Sequence, residues 1–277
     1  MTVLVMGASG QIGHFLLPRL EAEGYAWMAV SRRPPGNDSR WRSGHLPDGM
    51  PELPPLQAVV SLGPIDLLAK WLAEVRLPGI PHIVATSSMS AETKRESQVP
   101  EEREVSRRLR DAETMLIATC ASRGMPWTVF RPTLIYGAGM DKSLTPIVAS
   151  ARRRHIFPLP AGRGQRQPVH ADDIAAAVVA ALRTPAARGR TLSMGGGERL
   201  TAADMFRRTQ RSTGGFVVPL PVPRLVLELA ASVSPLMRGP VNRLDTDLIA
   251  DNTDLEAILG VHPRPFRPQP GTWQPVR

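Results

Sequence analysis

Short apolar runs alternate with amphipathic stretches along the first two thirds of the chain. Val3–Met6 is a continuous apolar run, which is the pattern of a parallel strand covered on both faces. Ile12, Phe15, Leu16 and Leu20 then recur with helical spacing. The chain is therefore predicted to open with a strand, a short glycine-containing turn and a helix.

The same alternation continues after this opening. Further strands are predicted at Tyr25–Ser31, Ala58–Leu62, Ile83–Ser87 and Trp127–Arg131. Helices are predicted at Ile65–Val75, Glu101–Arg123, Leu144–Arg153 and Asp172–Arg183. Five or six consecutive strand–helix units imply an α/β fold with a doubly wound parallel sheet. Such sheets bind ligands in a crevice at the carboxyl ends of their strands.

The turn after the first strand has the composition and position of a phosphate-binding turn. Gly7 allows a tight turn, Gly10 lets the backbone approach a pyrophosphate, and Gly13 permits close packing of helix on strand. The helix that starts here offers free N–H groups and the positive end of its dipole. A purely structural glycine turn is the alternative. The predicted cofactor-binding residues of this segment are Gly7, Ser9, Gly10, Gln11, Ile12 and Gly13.

The end of the second predicted strand indicates which dinucleotide is bound. NAD-selective sites usually present an acidic side chain to the ribose 2′-hydroxyl about 20 residues after the glycines. This chain has Ser31, Arg32 and Arg33 there, and guanidinium groups suit a 2′-phosphate instead. We therefore predict NADP in preference to NAD, the alternative being that both arginines are solvated surface residues. Leu62 and Gly63, at the end of a later strand, are further predicted cofactor contacts.

Segments spread over nearly the whole chain match the motifs of one protein family. They are Gly7–Gly13, Ala85–Ser88, Arg131–Gly137, Arg166–Ala175, Gly195–Thr201 and Asp251–Pro263. In this order they resemble the short-chain dehydrogenase/reductase superfamily, in particular its extended and atypical branches of epimerases and dehydratases. The resemblance implies a Rossmann-like doubly wound parallel sheet with a small C-terminal substrate lobe. Residues 1–165 then form the NAD(P)-binding domain, with interleaved return segments in 166–195, and residues 196–277 form mainly the lobe.

The resemblance also implies roles for single residues. Ser88 corresponds to the family's catalytic serine, and Pro132, Thr133 and Leu134 correspond to the segment that lines the nicotinamide. Arg166 resembles an arginine that holds the diphosphate of nucleotide-sugar substrates, a task that suits a guanidinium fork. A surface arginine in an arginine-rich protein is the alternative for this position. A homodimer built on the Glu101–Arg123 helix is a further expectation from the family.

The catalytic residues depart from the family pattern. The usual reaction needs a tyrosine that exchanges a proton with the substrate oxygen, and a lysine four residues later that lowers its pKa. Tyr25 and Tyr136 are the only tyrosines, and the residues four positions after them are Ala29 and Met140. The sequence therefore contains no Tyr-x-x-x-Lys pair.

The place of the missing pair is set by Glu113, which resembles the acidic residue that the family carries four positions after its lysine. This register puts Val105 and Leu109 at the two positions, and a shift of one residue gives Ser106 and Arg110 instead. Neither pair contains a phenol, and an arginine stays protonated.

Two hydroxyl groups remain as candidate catalytic residues. They belong to Ser88 and to Tyr136, which is predicted to follow a strand and precedes Lys142 by six residues. A cation beside the phenol would lower its pKa. The alternative for Tyr136 is a buried side chain with a structural hydrogen bond.

Charge and composition limit the classes of molecule that the protein is expected to bind. The formal net charge is +9, but only three of the 34 basic residues are lysines and the arginines are scattered, so nucleic-acid binding is not expected. The single cysteine and the spacing of the histidines predict neither a disulfide framework nor a metal site. The longest apolar run, Ile174–Leu182, is too short to span a bilayer. We expect a cytoplasmic protein without an export segment.

Two classes of function fit these observations. The first is an NADP-preferring, epimerase/dehydratase-like oxidoreductase that acts on the hydroxyl or carbonyl group of a small or nucleotide-sugar-type substrate with non-standard acid/base residues. The second is an NADP(H)-binding sensor or assembly protein without turnover, favoured by the loss of the Tyr-x-x-x-Lys pair.

Overall fold

The computed structural model describes residues 2–234, 239 and 241–275. Its strands are β1 (Thr2–Met6), β2 (Ala26–Ser31), β3 (Trp41–Ser43), β4 (Leu56–Ser61), β5 (His82–Thr86), β6 (Trp127–Pro132), β7 (Ile135–Tyr136), β8 (Ile156–Pro160), β9 (Gln165–Arg166), β10 (Val169–His170), β11 (Arg190–Met194), β12 (Leu200–Thr201) and β13 (Val218–Val222). Its helices are α1 (Gln11–Ala22), α2 (Ile65–Glu74), α3 (Ser90–Thr93), α4 (Pro100–Ser122), α5 (Leu144–Arg154), α6 (Ala171–Arg183), α7 (Ala202–Arg211), α8 (Arg224–Val233) and α9 (Thr253–Leu259).

A seven-stranded parallel sheet forms the centre of the molecule. Its strand order is β11-β6-β5-β4-β1-β2-β3, and every neighbouring pair is parallel. The chain leaves β1 toward β2 on one side and later returns to β4 on the other side. The strand order therefore reverses at β1, and in open α/β sheets the ligand crevice lies at such a point. The doubly wound parallel sheet predicted from the sequence is confirmed.

Both faces of the sheet are covered, which explains why its strands are apolar throughout. Along β1, Val3 and Val5 belong to the core beneath α1 and α6, whereas Leu4 and Met6 belong to the core beneath α2 and α4. Successive side chains of a strand point to opposite faces, so a strand buried on both sides needs apolar residues at every position. Among the described residues, no helix is long and apolar enough to cross a membrane.

A second body of the fold is built from chain segments on both sides of the predicted boundary at residue 165. One apolar core joins Leu144 and Val148 of α5 and Phe157 of β8 to Met205 of α7 and Phe266 near the C-terminus. Residues 144–160 therefore pack with the lobe. Conversely, α9 comes from the C-terminal part of the chain but packs on α6 and β11 beside the central sheet. The lobe is thus made of interleaved segments, because the chain crosses repeatedly between the two cores.

Candidate functional site

The glycine turn between β1 and α1 closes tightly over the end of the sheet. Gly7 has a φ of +76°, in the left-handed region that favours glycine, and its carbonyl accepts a hydrogen bond of 3.0 Å from the Gly10 N–H. Gly13 packs so closely on the turn that a Cβ there would lie 2.1 Å from the carbonyl oxygen of Ala8. These contacts fix the amino end of α1 at the carboxyl edge of β1.

A cavity of about 590 Å³ opens on one side of this turn, and we call it the β2-side cavity. It is lined by Met6, Gly7, Ser9, Val30, Ser31, Arg32, Gly44, His45, Leu46, Met50, Ser61, Gly63, Pro64 and Leu67. Five of the predicted cofactor residues lie in this wall: Gly7, Ser9, Ser31, Arg32 and Gly63. The sequence had not indicated the apolar part of the wall, formed by Leu46, Met50 and Leu67, because these residues come from loops and a helix without a motif.

The two arginines after β2 are placed differently. Arg32 lines the β2-side cavity, is exposed and makes no side-chain hydrogen bond or ion pair within the described part of the chain. Arg33 is exposed outside the cavity wall, and its backbone N–H donates to Ser31 Oγ over 3.2 Å. Ser31 Oγ also lies 3.5 Å from Ser9 Oγ of the glycine turn. Arg32 is therefore the guanidinium available to an anion in this cavity.

Two buried polar atoms near the turn have no hydrogen-bond partner among the described residues. They are Ser61 Oγ, at the end of β4, and Gln11 Oε1, at the start of α1. Ser61 lines the β2-side cavity, and Gln11 lines a second cavity on the far side of the turn. Buried polar atoms are nearly always hydrogen-bonded in folded proteins. The two orphaned atoms and the glycine turn therefore fit an extended polar ligand that crosses the end of α1, such as a dinucleotide.

The second cavity has a volume of about 450 Å³, and we call it the β6-side cavity. It is lined by Gln11, Ser88, Met89, Ser90, Thr93, Lys94, Pro132, Thr133, Leu134, Ile135, Met140, Asp141, Lys142, Ser143, Arg243 and Leu248. The structure thus brings Ser88 and the segment Pro132–Leu134 to one cavity. A hydrogen bond of 2.9 Å from the Met89 N–H to the Pro132 carbonyl fixes the two segments to each other.

Ser88 is oriented by the short helix that follows it. Its Oγ accepts a hydrogen bond of 3.1 Å from the Ser90 N–H at the start of α3. This contact uses a lone pair of the oxygen and leaves the hydroxyl hydrogen free to be donated. Ser88 can therefore donate a hydrogen bond to an oxygen atom of a molecule in the β6-side cavity.

Two cations in the wall of the β6-side cavity share one carboxylate. Lys94 Nζ lies 3.7 Å from Glu102 Oε1, and Arg243 Nε lies 3.3 Å from the same oxygen. Burial, followed by the nearby Arg243 guanidinium, lowers the pKa of Lys94. Across the cavity, the buried carboxylate of Asp141 accepts hydrogen bonds from backbone N–H groups at the start of α5. Sequence reasoning missed Lys94 and Arg243, because neither belongs to a motif and residues about 150 positions apart meet only in the fold.

Glu113 and Arg131 connect α4 to the sheet beneath the cavity. Arg131 Nε donates to Glu113 Oε1 over 3.1 Å, and Ser87 Oγ donates to the same oxygen. Arg131 Nη1 also reaches Glu92 Oε1 at 2.7 Å. The hydrogen bond to Glu113 raises the pKa of Arg131. The buried Glu113 carboxylate therefore joins Ser87 and Arg131, and so fixes the strand end next to Ser88.

Tyr136 lies in the lobe core and not in the wall of either cavity. The side chain is 2% exposed, and its ring makes edge contacts with Phe266 at 4.8 Å and His170 at 5.1 Å between ring centroids. Burial raises the pKa of this phenol, which is the opposite of what the predicted acid/base role with Lys142 requires. Lys142 is exposed on the β6-side cavity. The structure therefore does not bring this pair together at a reaction site.

Arg166 also lies outside both cavity walls. It is 5% exposed, and its guanidinium donates to the backbone carbonyls of Gln165 at 2.8 Å and Thr246 at 2.7 Å, and to that of Arg243. These bonds support the backbone that carries Arg243 into the β6-side cavity. The predicted contact of Arg166 with a substrate phosphate is replaced in this structure by three backbone contacts, because the side chain points into the lobe.

The remaining predicted cofactor residues contribute backbone or packing and no cavity surface. Gly10 and Gly13 shape the turn, and Ile12 is buried in the core beneath α1. Leu62 packs against that same core and makes its backbone contact with the Met6 carbonyl at 2.9 Å. In the described part of the chain, no three His, Cys, Asp or Glu side chains are grouped to hold a metal.

The chain matches the model of one protein family. The family model for the NAD dependent epimerase/dehydratase family matches residues 3–112 and 110–195. No curated protein matches the sequence with significance.

The fold is also found in solved structures of low sequence identity. MoeE5 in complex with UDP-glucuronic acid and NAD has a TM-score of 0.70 at 18% identity, with 98% of this chain and 97% of that chain covered. UDP-glucose 4-epimerase from Thermotoga maritima with UDP-glucose has a TM-score of 0.67 at 17% identity, covering 95% and 94%. UDP-N-acetylglucosamine 4-epimerase from Bacillus cereus has a TM-score of 0.68 at 16% identity, covering 99% and 94%. With the family model matched over most of its length, this chain belongs to the NAD dependent epimerase/dehydratase family.

Proposed function

We propose that this protein is an NADP(H)-preferring oxidoreductase of the epimerase/dehydratase type, acting on a hydroxyl or carbonyl group of a small or nucleotide-sugar-type substrate. One observation carries the proposal: the two cavities lie on either side of the glycine turn, one with Ser31 and Arg32 in its wall and the other with Ser88 and Pro132–Leu134. A dinucleotide that crosses the turn has one end in each cavity. When bound, the nicotinamide supplies hydride transfer to or from a substrate carbon.

The turn and the helix end hold the pyrophosphate in this proposal. The free N–H groups at the amino end of α1 and the close approach allowed at Gly7 and Gly10 suit an anionic ligand. Ser61 Oγ and Gln11 Oε1 gain the hydrogen-bond partners that they otherwise lack. Leu46 and Met50 provide an apolar wall for the adenine ring.

The preference for NADP is proposed from Arg32 alone. Its guanidinium, which pairs with no residue that the structure describes, stands at the end of β2, where an NAD-selective site carries an acidic side chain. The solved MoeE5 complex contains NAD, so the proposed preference comes from the side chains of this chain and not from its structural neighbours.

Ser88 positions the reacting oxygen in this proposal, because its hydroxyl hydrogen faces no acceptor in the described part of the protein. Arg243, held in place by Arg166, presents a guanidinium to the same cavity and suits a phosphate or carboxylate of the substrate. Nucleotide sugars are the first compounds to test, since two of the structural neighbours are nucleotide-sugar 4-epimerases.

A second candidate function is an NADP(H)-binding protein without turnover. It is favoured by the absence of a Tyr-x-x-x-Lys pair from the sequence and by the position of the Tyr136 phenol in the lobe core. In this case the bound cofactor would change the affinity of the protein for a partner.

The deciding experiment follows the hydride. Wild-type protein is incubated with NADPH deuterated at C4 on either face and with a panel of nucleotide sugars, ketones and aldehydes, and the products are analysed by mass spectrometry. A parallel incubation of nucleotide sugars with NADP⁺ detects epimers by ¹H NMR. We expect transfer or epimerisation with at least one compound, and a drop of about 100-fold in Ser88→Ala. Saturating NADPH binding without either reaction would support the non-catalytic candidate instead.

A further inference from the structure

The wall of the β6-side cavity contains a largely covered lysine besides Ser88 and Arg243. Its wall carries four charged side chains, those of Lys94, Asp141, Lys142 and Arg243. Asp141 already accepts several hydrogen bonds from the start of α5. Arg243 carries a guanidinium, which is not a proton-transfer group in proteins, and Lys142 is exposed to solvent. Lys94 is the remaining group, and it lies beside the Glu102 carboxylate.

Lys94 follows α3 directly and is largely covered. Its side chain is 15% exposed, and its Nζ lies 3.7 Å from Glu102 Oε1. Glu102 is itself held on its other side, because its Oε2 accepts a hydrogen bond of 2.7 Å from Ser97 Oγ. Lys94 comes six positions after Ser88 in the sequence, and both residues line the same cavity. Lys94 therefore shares a cavity with the hydroxyl group suited to orient a substrate oxygen.

We propose that Lys94 is the proton-transfer residue of this site and replaces the tyrosine that the family uses. This role rests on the proposed oxidoreductase function. In reduction, the Lys94 ammonium breaks one N–H bond and gives the proton to the carbonyl oxygen while the carbonyl carbon gains a hydride from a reduced nicotinamide. The products are an alcohol, a neutral amine and an oxidised nicotinamide. In oxidation, the neutral amine takes the hydroxyl proton as the carbon loses the hydride.

The surroundings of Lys94 suit a group that must both hold and release a proton. Glu102 on α4 attracts the ammonium, while Arg243 from the lobe repels it. Asp141 and Lys142 are the charged groups on the opposite wall. Burial is the largest influence and lowers the pKa of Lys94 from its ordinary value, which makes the ammonium a better proton donor. Glu102 acts in this scheme as a positioning residue.

The first test measures the amine without any reaction. Because the chain has only Lys70, Lys94 and Lys142, protein labelled with ¹³Cε-lysine gives three side-chain signals, which single Lys→Met variants assign. We expect the Lys94 signal to titrate below the ordinary lysine pKa of about 10.4, and to move to still lower pH in Glu102→Gln. A Lys94 signal that titrates at or above the ordinary value, unchanged in Glu102→Gln, would overturn the proposal.

The second test measures turnover with a substrate found by the deuterium assay. Lys94→Met is expected to lower kcat by at least about 100-fold while the Kd for NADPH changes by less than about twofold. Lys94→Arg is expected not to restore kcat, because a guanidinium does not release its proton. Lys70→Met, on the outer side of α2, removes the same charge at a distance and is expected to keep full activity.

The outcomes separate this proposal from the proposed function. Turnover that survives in Lys94→Met overturns the role of Lys94 alone. An absence of turnover in wild-type protein overturns the oxidoreductase function together with the proton-transfer role. Circular dichroism and urea unfolding show whether Lys94→Met is folded, so that a loss of activity in the folded variant can be assigned to the missing amine. If this variant does not fold, Lys94→Arg serves in its place, and wild-type activity in it overturns the proposal.

Discussion

A methyl group added at Gly13 tests the geometry of the glycine turn. In Gly13→Ala the new Cβ would lie 2.1 Å from the Ala8 carbonyl oxygen and 2.5 Å from the Ala8 Cα, whereas ordinary contacts begin near 3.4 Å. The neighbouring atoms are backbone, so α1 must move away from the turn by about 1 Å. Alanine gains about 1 kcal/mol over glycine in helix propensity, but forcing an extra carbon into a packed site costs about 1–3 kcal/mol.

We expect the backbone clash to exceed the propensity gain. The free energy of unfolding in urea should therefore fall by up to about 2 kcal/mol. NADPH binding should weaken at least about tenfold, because the N–H groups at the amino end of α1 move with the helix. Gly271→Ala is the matched control, since no atom lies within 4 Å of its added Cβ. A Gly13→Ala protein with wild-type stability and wild-type NADPH affinity would refute the assigned role of this turn.

Two further predictions concern stability. Arg131→Met leaves the Glu113 carboxylate, which is 4% exposed, without its cation, and should lower the free energy of unfolding by about 3–5 kcal/mol. Arg107→Met, which removes the cation shared by two surface ion pairs, should have a much smaller effect on stability. Equal losses in the two variants would contradict the structural role of the buried pair. Burial lowers the pKa of His82 to about 4 in the folded protein, whereas the same imidazole has a pKa near 6.5 in the unfolded chain. Between these two values the unfolded chain binds more protons than the folded protein. The stability that is present above pH 6.5 is therefore lost as the pH falls toward 4. Urea unfolding is measured at pH 7 and pH 5, and the loss of unfolding free energy between them should be about 2 kcal/mol smaller in His82→Gln than in wild-type protein. The exposed His262→Gln is the control and should keep the wild-type loss. An unchanged pH dependence in His82→Gln would contradict the effect of burial on His82.

The central sheet was largely predictable because both of its faces are buried. The predicted strand Ile83–Ser87 and the observed strand His82–Thr86 differ by one residue at each end. The predicted helix Leu144–Arg153 ends one residue before the observed helix Leu144–Arg154. The edge strands Trp41–Ser43 and Arg190–Met194 were not predicted. Each lies at an edge of the sheet and contains exposed polar positions, so neither shows the apolar run of a central strand.

The site divides in the same way between local and distant contacts. Ser88 and Pro132–Leu134 were assigned from motifs, and the structure brings them to one cavity because neighbouring parallel strands end at the same edge. Arg166 was assigned from a motif as well, yet its guanidinium turns to backbone carbonyls of the lobe. Sequence spacing specifies where a residue lies along a strand, but the direction and partners of its side chain depend on segments that are distant in sequence.

The proposed function requires that this chain bind NADP(H) across its glycine turn with Arg32 at the 2′-phosphate. Fluorescence titration of NADPH and NADH, with wild-type protein, Arg32→Ala and the remote control Arg183→Ala, tests it directly. A charge-assisted hydrogen bond contributes about 1.5–3 kcal/mol, so wild-type protein should bind NADPH about 10- to 100-fold more tightly than NADH. Arg32→Ala should lose this difference by weakening NADPH alone, and Arg183→Ala should keep it. Equal affinities in wild-type protein would contradict the assignment of Arg32. A failure to bind either dinucleotide would contradict cofactor binding at the glycine turn.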